Sequence, residues 1–274
     1  MSEPLITFLS DYGRADEFVG VCHGVIARRC PAARVIDITH SIPSFDVRTG
    51  ALVLADALVH MPAGVHLAVV DPQVGSRMHG ERAALALRTA EQGRVLVGPD
   101  NGLLMIAAER FGGAVEAVEI SRSREVREPV SNTFHGRDVF APVAAALADG
   151  EPLQALGASF EVARLQRIEL PVACLHEHGL AAQVLRADHF GNLILSASGA
   201  LLAQVHAQPG DELALEVAGR VFRARLARAF ADVRSGELLV YEDANEAAAI
   251  ALNGGSAAAR LAVSPDDEIV VRPA

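Results

Sequence analysis

Through the first half of the chain, short apolar runs rich in β-branched residues alternate with longer amphipathic stretches. The spacing predicts strands over 5–9, 34–38 and 65–70 and helices over 17–28 and 47–60, a βαβαβ order. Further strands are predicted over 83–87, 94–97 and 115–120, with helices over 103–111 and 139–148, so an open α/β sheet with covering helices is the expected architecture. Periodicity fades between 150 and 170, and Pro171 marks the break. Beyond residue 180 the pattern changes to closely spaced strand candidates at 182–185, 193–195, 212–217, 237–241, 247–252 and 268–271. These predict a small antiparallel sheet or barrel of roughly 100 residues. The expected organisation is an α/β N-terminal domain over 1–165 and a smaller antiparallel β C-terminal domain over 172–274.

Composition narrows the chemistry. Among 274 residues, 51% are hydrophobic and 21% charged, an ordinary globular balance that excludes a disordered tail or fibrous repeat. All 24 basic residues are arginine, which removes the lysine of a Walker A loop, a pyridoxal Schiff base and any lysine nucleophile. The net charge of −10, with no basic stripe, argues against a nucleic-acid partner. No apolar run is long enough to span a membrane, and Met1-Ser2-Glu3-Pro4 does not resemble a secretion signal. Cys22, Cys30 and Cys174 form no CxxC pattern, so reduced, buried thiols in a cytoplasmic protein are expected.

In an open parallel sheet, ligands bind beyond the carboxyl ends of the strands. Four predicted strand ends carry a carboxylate: Ser10-Asp11-Tyr12-Gly13, Asp37-Ile38-Thr39-His40-Ser41, Asp71-Pro72 and Pro99-Asp100-Asn101-Gly102. A single such Asp is more often a helix cap or turn former, but four together point to a site. Phe134-His135-Gly136-Arg137-Asp138 adds an imidazole beside a glycine and a charge pair at a helix start, and Asp188-His189-Phe190-Gly191-Asn192 sets a carboxylate, an aromatic face and an amide around a turn. Asp11, Asp37, His40, Asp71, Asp100, His135 and Asp138 are chemically able to ligate a metal. No HxH or HExxH spacing occurs among them, and His176-Glu177-His178 falls in the predicted linker region, so the metal signal is weak.

Taken together and in order, Ile6 to Gly13, Ile38-Thr39-His40-Ser41-Ile42-Pro43, Val69-Val70-Asp71-Pro72 with Val74-Gly75-Ser76, Pro99 to Gly102, Phe134 to Asp138 and Asp188 to Asn192 resemble the S-adenosyl-L-methionine (SAM) hydrolases. These adenosine-forming enzymes, also called SAM hydroxide adenosyltransferases, are relatives of the fluorinase and chlorinase. The resemblance runs over nearly the whole chain. It implies hydrolysis of SAM to adenosine and L-methionine with no metal or other cofactor, in a homotrimer whose sites lie between the N-terminal domain of one subunit and the C-terminal domain of the next. Carried over by position, Asp11 holds the ribose hydroxyls and Phe45 walls the ribose. Asp71, an arginine after it and His135 handle the water. Asp188 and Asn192 hold the methionine amino group, while Phe190, Phe230 and the backbone near Asn253 border the adenine.

Three departures stand against the family pattern. Gln73 replaces a glycine, the following loop is longer so that either Arg77 or Arg82 is the catalytic arginine, with Arg82 slightly preferred, and Asp243-Ala244 replaces an Asn-Ser pair expected at the methionine carboxylate. A halide-using transferase is disfavoured by His135-Gly136, where the halogenating relatives carry Tyr-Ser, and by Asp71, whose charge repels a halide. A non-catalytic SAM or adenosine binder and a metal-dependent hydrolase are the other readings. Asp71 and His135 are expected on solvent-facing loops.

Overall fold

A computed structural model describes residues 3–75, 82–177 and 179–274. The chain divides into two compact units, Met1–Ile168 and Glu169–Ala274.

In the first unit the elements are β1 (Leu5–Ser10), α1 (Phe18–Arg29), β2 (Arg34–Thr39), α2 (Val47–Leu58), β3 (Val65–Val69), β4 (Ala84–Thr89), β5 (Val95–Pro99), α3 (Met105–Arg110), β6 (Ala114–Glu119), α4 (Ala141–Ala148) and β7 (Ala158–Ser159). They build one sheet in the order β2-β1-β3-β5-β4-β6-β7. The strands β2, β1, β3 and β5 are parallel. The rest is antiparallel, because the short 90–94 connection between β4 and β5 permits only a hairpin. Alternation along the strands sends side chains to two cores. Ile6, Phe8, Leu67 and Val69 pack with Ile26 of α1 and Val143 of α4, whereas Leu9, Ala68, Val70 and Leu96 pack with Leu54 of α2 and Met105 of α3. Burial on both faces explains why β3 and β5 read as unbroken apolar runs. The helix α2 starts where Asp46 accepts from the Thr49 N–H at 2.9 Å, an N-cap that frees the chain to turn back over the sheet. The parallel arrangement leaves the carboxyl ends of β1, β3 and β5 on one edge.

The second unit contains β8 (Cys174–His176), β9 (Gly179–Ala187), β10 (Leu193–Ser198), α5 (Gly199–Leu202), β11 (Glu212–Val217), β12 (Arg220–Leu226), β13 (Leu238–Glu242), β14 (Ala247–Leu252), α6 (Ala257–Leu261) and β15 (Glu268–Pro273). The order β10-β14-β13-β12-β11-β15-β9-β8, with β10 also pairing β9, closes seven strands into a barrel and leaves β8 outside it. Every pair is antiparallel except β12 with β13. Two strands escape the sequence reading. Outward arginines break up β12 (Arg220, Arg223, Arg225), and all of β8 is exposed, so it has no apolar face to announce it. The thiols of Cys22 and Cys30 are buried, but Cys174 on β8 is exposed, contrary to the expectation for all three. No helix among the described residues is long and apolar enough to cross a membrane.

Inside the first unit, the fully buried His66 on β3 lies 2.9 Å from Thr7 Oγ1 through Nδ1 and 3.1 Å from Arg94 Nη1 through Nε2. A guanidinium only donates, so Nε2 accepts and the ring is neutral with its proton on Nδ1. Burial, reinforced by the Arg94 charge, pushes the imidazole down from 6.5 to about 3. The unfolded chain therefore binds a proton that the folded one refuses, and His66 makes stability fall as pH drops below 6.5, continuing towards 3. Urea midpoints measured across that range should decline less steeply in His66→Gln than in the unmodified chain; parallel declines would remove His66 as the cause.

Candidate active site

Asp71 follows β3, Arg82 precedes β4 and His135 precedes the turn into α4. Arg82 Nε sits 3.0 Å from both Asp71 carboxylate oxygens, its Nη2 bonds Asp71 Oδ2, and the same Nη2 reaches His135 Nδ1 at 3.0 Å. The side chains of both members of the ion pair are more than nine-tenths buried. The Phe140 ring lies 5.2 Å from the guanidinium carbon. Since the guanidinium donates, His135 Nδ1 accepts, and the imidazole is fixed in the tautomer that carries its proton on Nε2. Of the two candidate arginines, Arg82 is the one brought to Asp71 and His135; Arg77 lies outside the described residues. Burial of Asp71 also corrects the expectation of a solvent-facing loop: the strand end is roofed, and Arg82 supplies the compensating charge.

The backbone after His135 is unusual. Residues Gly136–Phe140 form a π-helical turn that runs directly into α4. Such widened turns commonly mark functional sites, because they re-aim the side chain at their mouth. Gly136 is required here: a Cβ at this position would collide with the Tyr12 hydroxyl. The Tyr12 ring is wedged edge-on between Phe8 and Phe134, and burial pushes its phenol well above the usual range. The sequence signal for Tyr12 is its place directly after the strand-end carboxylate Asp11, as one of two tyrosines in the chain.

Asp11, at the end of β1, accepts the Phe45 N–H at 2.9 Å. Burial pushes its carboxyl above the ordinary value against the pull of that hydrogen bond, and the Asp71 charge adds to the rise. Phe45 is 67% exposed and holds φ at 68°, a left-handed conformation that a bulky residue adopts only when its surroundings enforce it. The remaining acids are occupied elsewhere. Asp100 accepts from the Gln166 N–H, Asp138 holds the Ser131 N–H and Arg137, and Asp37 lies within β2 beside His23 and His40 instead of beyond the strand. A cleft of about 630 Å³ opens beside Arg82 and His135, lined also by Gln73, Gly75 and Asn132.

In the second unit, Asp188 organises its own turn. Its Oδ1 accepts from the Phe190 and Asn192 N–H groups at 2.9 Å, and its Oδ2 accepts from Asn192 Nδ2 at 2.7 Å. Asn192 is buried, whereas Phe190 is 73% exposed. Gly191, at φ 81°, packs where a side chain would strike Ser256, the cap of α6. Phe230 is 43% exposed and its ring centroid lies 5.5 Å from that of Tyr241. Asn253 is engaged on every side: its Nδ2 donates to Val233 O, its N–H to Glu237 O, and its carbonyl accepts from Gly236. Asp243 caps the β13–β14 hairpin, accepting from the N–H groups of Asn245 and Ala247, so its charge is tied to a turn.

Comparison with known proteins matches the chain to one family. The model of the SAM hydroxide adenosyltransferase N-terminal domain matches residues 6–157 and that of the C-terminal domain residues 182–270. The chain is 50% identical over 270 residues to an (R)-S-adenosyl-L-methionine hydrolase of Salinispora arenicola, covering 98% of each. It is 37% identical to the protein of that name from Thermus thermophilus, covering 92% of this chain and 93% of the other. A fluorinase of Nocardia brasiliensis is more distant, at 29% identity over 93% and 92% of the two chains. Among solved structures, an uncharacterized conserved protein from Thermotoga maritima superposes with a TM-score of 0.89 at 36% identity, covering 97% of this chain and 99% of that one. With both domain models matched in order and relatives of this identity aligned over nearly the full length, the chain belongs to the SAM hydroxide adenosyltransferase family.

Proposed function

We propose that the protein hydrolyses SAM to adenosine and L-methionine, by in-line attack of water on the ribose C5′. The observation that carries this reading is the buried Asp71–Arg82–His135 cluster, in a chain 50% identical to a SAM hydrolase. The chemistry asks little of the protein. As the C5′–O bond forms, the C5′–S bond breaks and its electron pair returns to sulfur, so methionine leaves as a neutral thioether that needs no acid. Positive charge passes from sulfur to the attacking oxygen, whose proton grows more acidic along the way. The Asp71 carboxylate is the group placed to take it. His135, protonated on Nε2 by virtue of the Arg82 contact, donates to the water and aims its lone pair, and Arg82 stabilises hydroxide character through its charge. SAM is the substrate, and no cofactor takes part in these steps.

Asp11 takes the ribose diol in this reading, accepting two O–H groups as only an ionised carboxylate can, and Phe45 walls the sugar. Asp188 and Asn192 bind the methionine amino group, with Phe190, Phe230 and the loop at Asn253 around the adenine. The protein works as a cytoplasmic homotrimer, the second-unit residues coming from a neighbouring copy. Support comes from Phe190 and Phe230, large aromatic faces left exposed on a single chain.

The direct test incubates purified protein with SAM, with and without EDTA, and follows both products by chromatography. Equal EDTA-resistant release of adenosine and methionine is expected; saturable SAM binding without release would make the protein a binder. His135→Ala should lower kcat by about 10²-fold or more with the fold retained, and Asp71→Asn should lower kcat and also destabilise by about 3–5 kcal/mol, because it strands a buried guanidinium. Wild-type kcat in either variant would dismiss the water-handling assignment. Because Asp11 must be ionised to bind the diol and its pKa is raised, KM for SAM should climb as pH falls while the solution is still above the ordinary carboxylate value of 3.8. Asp11→Asn should show a high, pH-independent KM over that range. Mixing Asp71→Asn and Asp188→Asn chains, each inactive alone, should restore part of the activity; no recovery after unfolding and refolding them together would refute the shared site.

A further inference from the structure

Away from the reacting centre, His23 on α1, Asp37 on β2 and His40 just after β2 converge on one point. His23 Nε2 lies 2.9 Å and His40 Nε2 3.1 Å from the same oxygen, Asp37 Oδ1, and the three ligand atoms all fall within 4.8 Å of one another. The His40 side chain is completely buried, and its Nε2, despite that proximity, makes no hydrogen bond. A buried polar atom left in this state is destabilising unless something completes it.

We propose that His23, Asp37 and His40 form a binding site for a divalent transition-metal ion of the zinc type. Tetrahedral ligands at about 2.0–2.1 Å from zinc are separated from one another by roughly 3.3 Å, so to admit the ion the two short separations widen by a few tenths of an ångström and the two imidazole nitrogens, within 4.8 Å of each other, draw together towards the same spacing. Two imidazoles and a carboxylate are the donor set that suits it, with a water in the fourth position, and His23 and Asp37, with side chains 37% and 27% exposed, provide the way in. The support around the site matches a ligand's needs. His40 Nδ1 is anchored 2.7 Å from Ser10 Oγ, which leaves Nε2 as the ligating nitrogen, and the Phe8 ring packs edge-on at 4.6 Å.

The position gives the ion a consequence. The His40 carbonyl accepts from the Gly13 N–H at 2.8 Å, and Ser10 Oγ also accepts from Tyr12 N–H at 3.3 Å. Ligation therefore ties α1 and β2 to the loop that carries Asp11, stiffening that loop without entering the chemistry.

The test is independent of catalysis. Chelator-treated full-length protein is titrated with Co²⁺, followed by visible absorption, and then with Zn²⁺ to displace it, with the melting temperature recorded in parallel. One equivalent per chain, a visible spectrum of four-coordinate cobalt and a higher melting temperature are expected. Affinity should fall at least about tenfold in His23→Gln and in Asp37→Asn, and by roughly 10–100-fold in Ser10→Ala, which removes only the support of His40. No saturable cobalt spectrum would overturn the proposal, as would undiminished binding in folded His23→Gln and Asp37→Asn chains, which would place the ion elsewhere.

Discussion

A guanidinium withdrawn from water has five N–H donors and a permanent charge, and the fold must answer both at one place. Arg82 is answered by Asp71 at the end of β3 and by His135 at the mouth of the π-helical turn, with Phe140 beneath it. Much of the first unit follows from keeping those partners together. The parallel run of β1, β3 and β5 delivers Asp11 and Asp71 to one edge, the π turn aims His135 back towards Arg82, and Gly136 admits the Tyr12 hydroxyl beside it. The same contact that satisfies the arginine also selects the His135 tautomer, so the structural demand and the catalytic setting are one hydrogen bond.

Such a cluster suits a substrate that brings its own leaving group. A sulfonium needs no protonation of its leaving group, so what the reaction asks for is a water held in line with the ribose C5′ and relieved of a proton.

Where an element is buried, its pattern shows in the sequence: the apolar runs of β1, β3 and β5, covered on both faces, and the amphipathic span of α2, covered on one. Where both faces are polar or exposed it does not, and β8 and the arginine-studded β12 are missed for that reason. The strand-end carboxylates were visible as a set, but not their separate fates. Asp71 acquires Arg82, whereas Asp100 is spent on the Gln166 backbone N–H, a distinction made by loops distant in sequence. The preference for Arg82 over Arg77 rested on spacing to the next strand, the quantity that also delivers its side chain to Asp71. Asp243, worrying as an added charge, is a hairpin cap. His23, 14 residues before Asp37, carried no sequence signal because a helix and a strand had to pack before the two could meet.

The central claim is that Asp71, Arg82 and His135 deliver water to the ribose C5′. The most direct measurement runs the reaction in ¹⁸O-labelled water and locates the label by mass spectrometry. The account predicts one ¹⁸O in adenosine, on its 5′-oxygen, and none in methionine beyond slow carboxyl exchange. Label absent from adenosine, or a product set of methylthioadenosine and labelled homoserine, would mean that attack occurs elsewhere on the sulfonium and would contradict it.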